Sequence, residues 1–182
     1  CEKSIILSHT WRSQFDSIMV GTGTVISDNP KLTTRKISGK NPIRITIDRN
    51  NKLKTKKWNI MNNDANTIIL VKGNSKIIDN IKYLQIQKKE ICDQKILKHI
   101  IDLLYKEGIR SILIEGGKKI LENFIAANLW DEIRVFSSKK NIKSGISAPK
   151  INLKKEKTIN VGEDSLSILH NKSTKKSIEQ SF

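Results

Sequence analysis

SIMVGTGTVISDNP, residues 17–30, runs from a short apolar stretch straight into Gly21-Thr22-Gly23-Thr24 and stops at Asn29-Pro30. The stretch 17–21 reads as a buried strand, the glycines allow a tight bend, and one helical turn fits before the proline. Downstream, β-branched 43–48 (IRITID) opened by Pro42 is a strand, 67–71 (TIILV) is a second, and 82–86 (KYLQI) is a weaker one. Residues 93–107 set Ile96, Leu97, Ile100, Ile101 and Leu104 on one face of a helix, with Asp93 as its N-cap and Gly108 at its end. SILIE (111–115) is a strand that meets Gly116-Gly117 and a helix over 118–130 without a spacer. A strand at 131–138 follows, and 157–162 with 165–171 read as an antiparallel hairpin at a sheet edge. Upstream, 4–15 places Ile5, Ile6, His9 and Phe15 near helical spacing with Arg12 one turn from His9. Residues 31–41 and 49–66 are polar and read as turns and loop. The alternation predicts an α/β fold: a mixed, mostly parallel sheet with helices on both faces and a C-terminal antiparallel hairpin.

At 182 residues the chain fits a single domain spanning 1–182, with 172–182 as a tail. Hydrophobic residues at 37% and charged residues at 29% exclude a disordered chain, and the short apolar runs exclude a helical membrane span. A formal net charge of +16 raises nucleic acid, anionic lipid or a phosphorylated metabolite as partners. Only six of the 34 basic residues are Arg, and the aromatics do not interleave with the lysines, which favours solvated lysines over a nucleic-acid surface. A basic nucleic-acid-binding module is the rival reading. Cys1 and Cys92 have no metal-ligand spacing and point to a reducing, cytoplasmic setting; His9, His99 and His170 read as surface or cap residues, and no metal is expected. The chain starts at Cys with no charged-then-apolar leader, so a fragment is expected.

Ligands in open α/β sheets bind beyond the carboxyl ends of the parallel strands. Two segments meet that demand, Gly21–Thr24 and Glu115-Gly116-Gly117, and together they suggest a phosphate or pyrophosphate site. The glycines form neither a Gly-Lys-Ser/Thr loop nor a Gly-x-Gly-x-x-Gly turn. Asp28 is either a turn residue or an acceptor near a nucleotide. Arg12 and Arg35 flank the first glycine element, and guanidinium forks suit phosphate oxygens. Glu115 ends an apolar strand, where a charge is costly unless it meets solvent or a ligand group.

The stretch Arg12–Arg35, R-x-Q-x-D-x-I-x-V-G-x-G-T-V-x-x-D-N-P-x-L-T-x-R, resembles the reductase domain of the bacterial riboflavin-biosynthesis deaminase/reductase (RibD type). P-I-R-I-x-I-D (42–48), I-L-I-E-G-G (112–117) and L-W-D-E-I (129–133) keep that family's order, and the match fades after 138. The resemblance implies a dihydrofolate-reductase-like fold and NADPH-dependent reduction of 5-amino-6-(5-phosphoribosylamino)uracil at ribose C1, through a ring-opened imine, to the ribitylamino product. It implies cofactor contacts at Thr24 and Asp28 and phosphates at the helix start Gly117, Lys118, Lys119, Ile120, Leu121, Glu122 and Asn123. It implies substrate contacts at Arg12, Leu32 and Arg35, the two arginines clamping the 5-phosphate, with Glu115 facing substrate hydroxyl or amino groups. Arg49 lies on the cofactor side, either facing the 2′-phosphate or solvated in a loop. No catalytic residue is assigned. The family's first strand, with a Lys and an Asp-Gly, precedes Cys1, so the domain is expected to lack it here. The resemblance further implies a homodimer and allows an upstream zinc deaminase domain. Another dihydrofolate-reductase-like reductase is the remaining alternative. Ser137-Ser138-Lys139-Lys140 departs from the family's Ala-Pro-Lys-and-glycine loop.

Overall fold

A computed structural model of the chain describes residues 1–86, 93–140, 144–151 and 156–171; the expected tail at 172–182, Cys92 and the capping side chain of Asp93 lie outside the described residues. The stretch quoted first becomes β1 (Ser17–Gly21) and the short helix α2 (Thr22–Asp28). β1 lies between β2 (Ile43–Asp48) and β6 (Ile112–Ile114) and is parallel to both, with Ser17 opposite Ile43 and Ile112. β3 (Thr67–Val71) and β5 (Ile81–Gln85) extend the parallel set beyond β2. β4 (Lys76–Ile78) pairs antiparallel with β5, giving the order β4-β5-β3-β2-β1-β6. The five parallel strands therefore end at one common edge, where the two glycine turns lie.

Strand alternation distributes the core between the two faces. Met19, Ile45, Ile68, Leu70 and Leu84 pack with Ile100 and Leu104 of α3 (Asp93–Lys106) and with Ile120 and Phe124 of α4 (Lys118–Ala126). Ile18 and Val20 face the other way, onto Val25 of α2 and onto Leu32, Leu53, Trp58 and Ile60. Helices thus cover both faces, as the alternation predicts. The second helix is shorter than the 118–130 expected, because Asn128 turns into the left-handed region at φ 55° and Leu129 donates its N–H to the Phe124 carbonyl.

The C-terminal hairpin differs from expectation. β8 (Lys157–Val161) and β9 (Asp164–His170) do not border the parallel sheet; they join β7 (Glu132–Ser137) in a separate antiparallel sheet of order β7-β9-β8. The N-terminal helix α1 (Glu2–Gln14) links the two sheets. Trp11 stacks on Phe136 with centroids 5.4 Å apart, and the Arg134 guanidinium lies 4.4 Å over the Trp11 ring. Ser4 Oγ donates to Asp164 at 2.6 Å. The inward face of α1 is therefore polar: Ser4 and His9 are buried, while Ile5 and Ile6 are 49% and 39% exposed. His9 is not the surface residue its sequence context suggested.

The 49–66 segment is also more structured than a polar loop. Two 3-10 turns, Lys52–Thr55 and Asn59–Met61, bury Leu53, Trp58 and Ile60. Their anchor is Arg44 on β2, whose side chain is fully buried. Its Nε donates to Thr67 Oγ1 at 3.0 Å, Nη1 to Asn59 O at 3.1 Å and Asn62 Oδ1 at 2.7 Å, and Nη2 to Asn62 O at 2.6 Å and to Ala65 O. These charge-assisted bonds satisfy a cation that burial would otherwise expel. Arg44→Met, which keeps the aliphatic stem, is expected to lower stability by about 3 kcal/mol or more, since several buried carbonyls lose their donor. Urea unfolding monitors the loss, and limited proteolysis should show earlier cleavage within 49–66.

Candidate active site

At the end of β1 the backbone passes through Gly21 into α2, and Thr22 Oγ1 donates to the Ile47 carbonyl, tying the turn to β2. At the end of β6 the Glu115 N–H donates to Met19 O at 3.0 Å, tying the second turn to β1. Gly116 and Gly117 then take φ of 67° and 79°, a region that disfavours a β-carbon. A β-carbon on Gly117 would stand 2.8 Å from Thr24 Oγ1, so the two turns touch. Gly117 is the N-cap of α4 and has no side-chain cap, which leaves the first-turn N–H groups of that helix for an anion.

A cleft of about 620 Å³ opens here, on the α3 face of the sheet. Thr22–Thr24, Asp48–Asn50, Lys52, Lys72, Ile96, Ile100, Gly117, Lys119, Ile120 and Asn123 line it. Its basic side chains are Arg49, Lys52, Lys72 and Lys119. The facing carboxylate, Asp48, already accepts N–H bonds from Lys52 at 2.8 Å and Leu53 at 3.0 Å. The site thus combines an apolar wall, a cationic rim and a helix start, a set of features that suits a dinucleotide or other polyphosphate.

Of the residues expected to meet a cofactor, Thr24, Arg49, Gly117, Lys119, Ile120 and Asn123 line this cleft. Asp28, Lys118, Leu121 and Glu122 are not among its lining. Asp28 is exposed at the far end of α2, and Lys118 donates to Ser147 Oγ at 2.7 Å and stands 3.8 Å from Glu122. Lys52 and Lys72 are the additions. Lys72 was discoverable, since it directly follows the apolar run 67–71; Lys52 carried no signal inside a Lys/Asn-rich segment.

The expected substrate residues gather beside the second glycine turn. Arg12 grips Glu115 through two bonds, Nε to Oε1 at 2.9 Å and Nη2 to Oε2 at 2.5 Å, and its Nη1 reaches Thr33 O at 3.3 Å. The Arg12 guanidinium meets the charge of the carboxylate that follows the apolar strand, a partner that the sequence reading did not name, and Glu115 stays 26% exposed beside it. Arg35 donates its N–H to His9 Nδ1 at 3.0 Å, and its Nη1 lies 3.4 Å from Thr33 Oγ1. Leu32 has φ 53° and a side chain only 4% exposed in the second core, so backbone is what it offers a ligand. His9 and Thr33 are the residues that sequence reading missed; a separation of 26 residues between His9 and Arg35 hides the pair. Burial, then the Arg12 and Arg35 charges, push the His9 imidazole below its ordinary pKa.

A parallel α/β sheet with a glycine-turned, cationic cleft at its carboxyl edge places the molecule among the open α/β domains, whose ligands bind at that edge. Residues 3–141 match the model of the RibD C-terminal domain, and the chain belongs to that family. It is 30% identical over 151 residues to the 2,5-diamino-6-ribosylamino-4(3H)-pyrimidinone 5′-phosphate reductase of Archaeoglobus fulgidus, covering 75% of this chain and 67% of that protein. It is 35% identical over 131 residues to the Aquifex aeolicus reductase of the same name, covering 70% of this chain and 58% of that one. Among solved structures, the Thermotoga maritima diaminohydroxyphosphoribosylaminopyrimidine deaminase/5-amino-6-(5-phosphoribosylamino)uracil reductase superposes with a TM-score of 0.74 at 25% identity, over 90% of this chain and 47% of that one. The Saccharomyces cerevisiae riboflavin biosynthesis reductase shares the fold, with a TM-score of 0.72 at 21% identity over 92% of this chain and 80% of that one. The dihydrofolate-reductase-like architecture expected from the sequence is the one observed. No helix among the described residues is long and apolar enough to cross a membrane.

Gly117→Ala is expected to weaken 2′,5′-ADP binding at least about tenfold and to lower the melting temperature, because the new methyl meets Thr24 at a strained φ. Adding Thr24→Ala should relieve the clash but not the backbone strain, and so recover only part of the loss in a thermal-shift titration. The lowered His9 pKa means that the unfolded chain binds the proton first. The stabilisation it reflects is present above about pH 6.5 and is lost as pH falls through the folded-state value. His9→Asn keeps an acceptor for the Arg35 N–H and removes the titration, so its melting temperature should fall less than that of the parent between pH 7 and pH 5.

Proposed function

We propose that the chain is the NADPH-dependent reductase of riboflavin biosynthesis that converts the ribosyl group of 5-amino-6-(5-phosphoribosylamino)uracil to the ribityl group. The observation that carries the reading is the junction at Glu115-Gly116-Gly117, where an anion-ready helix start adjoins the Arg12, Arg35 and Thr33 group. A cofactor and a sugar phosphate are both anionic, and each half of the junction supplies donors for one of them.

The residues fit a phosphorylated dinucleotide. The uncapped start of α4 and Lys119 would hold the pyrophosphate, Gly117 leaves room for close backbone approach, and Arg49, Lys52 and Lys72 would hold a further phosphate. When bound, the nicotinamide supplies the hydride for ribose C1. The protein's own contribution is positioning and electrostatics: the Arg35 guanidinium binds the 5-phosphate, and Glu115 holds Arg12 at the same end of the substrate. His9, neutral and accepting from the Arg35 N–H, fixes that arginine's backbone. The proposed enzyme is cytoplasmic and pairs with itself.

The relatives named for the 2,5-diamino-pyrimidinone favour a second substrate, the ring before deamination. Both pyrimidines carry the same ribosyl phosphate, so the same residues serve either. The test is NADPH oxidation by the purified protein with each pyrimidine. Turnover of either supports a reductase, the faster one names the substrate, and no oxidation of NADPH by the folded protein overturns it. Arg35→Ala should raise the pyrimidine KM about tenfold or more and leave the NADPH KM within about twofold, which steady-state kinetics resolves.

A further inference from the structure

The carboxyl edge of β2 and β3 bears a second concavity, on the sheet face away from α3. Its volume is about 730 Å³, within the range of small-molecule sites. Ile69, Val71 and Tyr83 form its floor, and the 3-10 turn at Lys52–Thr55 forms one wall. Asp48 lines both this cleft and the one assigned to the cofactor, so the two lie back to back across the same strand ends.

Lys54, Lys56, Lys57 and Lys76 also line this second concavity, and Lys56 Nζ stands 4.2 Å over the Trp58 ring. Among the described residues none of the four forms an ion pair. Asp48 is the carboxylate in the lining, and its oxygens are engaged by the Lys52 and Leu53 N–H groups. Lys76 Nζ stands 5.1 Å over the Tyr83 ring, which places a cation at the margin of an aromatic surface. Most lysines of this chain are scattered. These four line one concavity with an apolar base, where they outnumber the lining carboxylate, Asp48, and such an excess of positive charge attracts an anion.

We infer that this cleft is a second ligand site, separate from the cofactor cleft, for a phosphorylated compound carrying a flat heteroaromatic ring. The ring lies on Ile69, Val71 and Tyr83, and the phosphate takes the lysine rim. Its position obeys the general rule for α/β sheets, that ligands bind outside the carboxyl ends of the strands. It does not depend on the reductase reading, since the residues belong to the opposite face.

FMN, whose ring is flat and fluorescent, is the probe. Titration of the purified protein is expected to show one saturable site whose affinity is unchanged by saturating 2′,5′-ADP and weakened by salt. Lys56→Glu/Lys76→Glu should lower FMN affinity at least about tenfold while leaving 2′,5′-ADP binding unchanged; Lys119→Glu should do the opposite. Both lysines of the double variant are solvent-exposed and each lies over one aromatic ring, Trp58 or Tyr83, so charge reversal there is expected to keep the fold, which circular dichroism and the melting temperature check. No FMN binding up to about 1 mM overturns the proposal, as does displacement of FMN by 2′,5′-ADP or full FMN affinity in the double variant. Inorganic pyrophosphate binding as tightly as FMN also overturns it, because the apolar floor would then have no part in recognition. Failure of 2′,5′-ADP to bind at all would count against the reductase reading alone.

Discussion

Thr24 Oγ1 stands 2.8 Å from the place a β-carbon would take on residue 117, and this contact governs the rest of the site. It exists because β1 lies in parallel register between β2 and β6, so that the turns after β1 and β6 leave the sheet side by side. A side chain at 117 would press on the Thr24 hydroxyl at a φ of 79° and strain the approach of the two turns. The Thr22 hydroxyl bond to the Ile47 carbonyl and the Glu115 N–H bond to the Met19 carbonyl hold the same three strand ends. The cleft is therefore a consequence of strand order, sharpened by one steric contact.

Arginine and lysine divide the protein's positive charge by task. Arg44 is buried and ties 49–66 to β2; Arg12 is forked onto Glu115; Arg134 and Arg110 lie over Trp11 and Tyr105. A planar, weakly hydrated cation can be buried or stacked in ways an ammonium cannot. Arg35 and Arg49 are the two left at the candidate site. The scarcity of arginine thus marks structural anchors at least as much as phosphate ligands, and the lysines carry most of the field.

The parallel strands were legible because their apolar runs are short, β-branched and bounded by turn residues, as at 17–21, 43–48 and 67–71. The glycine turns were legible as strand ends, although only Gly116 and Gly117 take positive φ and Gly21 is ordinary extended backbone. Partner choice was not. Glu115 could be recognised as costly, but its partner is 103 positions away, and no local pattern says that Arg12 fills that role. Helix α1 was legible as a helix, but spacing alone does not say which side packs inward: it buries Ser4 and His9 and exposes Ile5 and Ile6. The 49–66 segment looked like loop because its three buried residues are spaced irregularly and its ordering comes from Arg44, outside it. The hairpin was foreseen, but its attachment to β7 is a tertiary pairing that alternation does not encode.

The outermost strand of the parallel sheet, β4, is three residues long and shows Ile77 at 69% exposure beside Lys76. A ribbon growing from that rim would gain only a handful of main-chain bonds and would have to crowd ammonium groups against one another. Brevity and charge together work against further strands pairing along this isoleucine-bearing border.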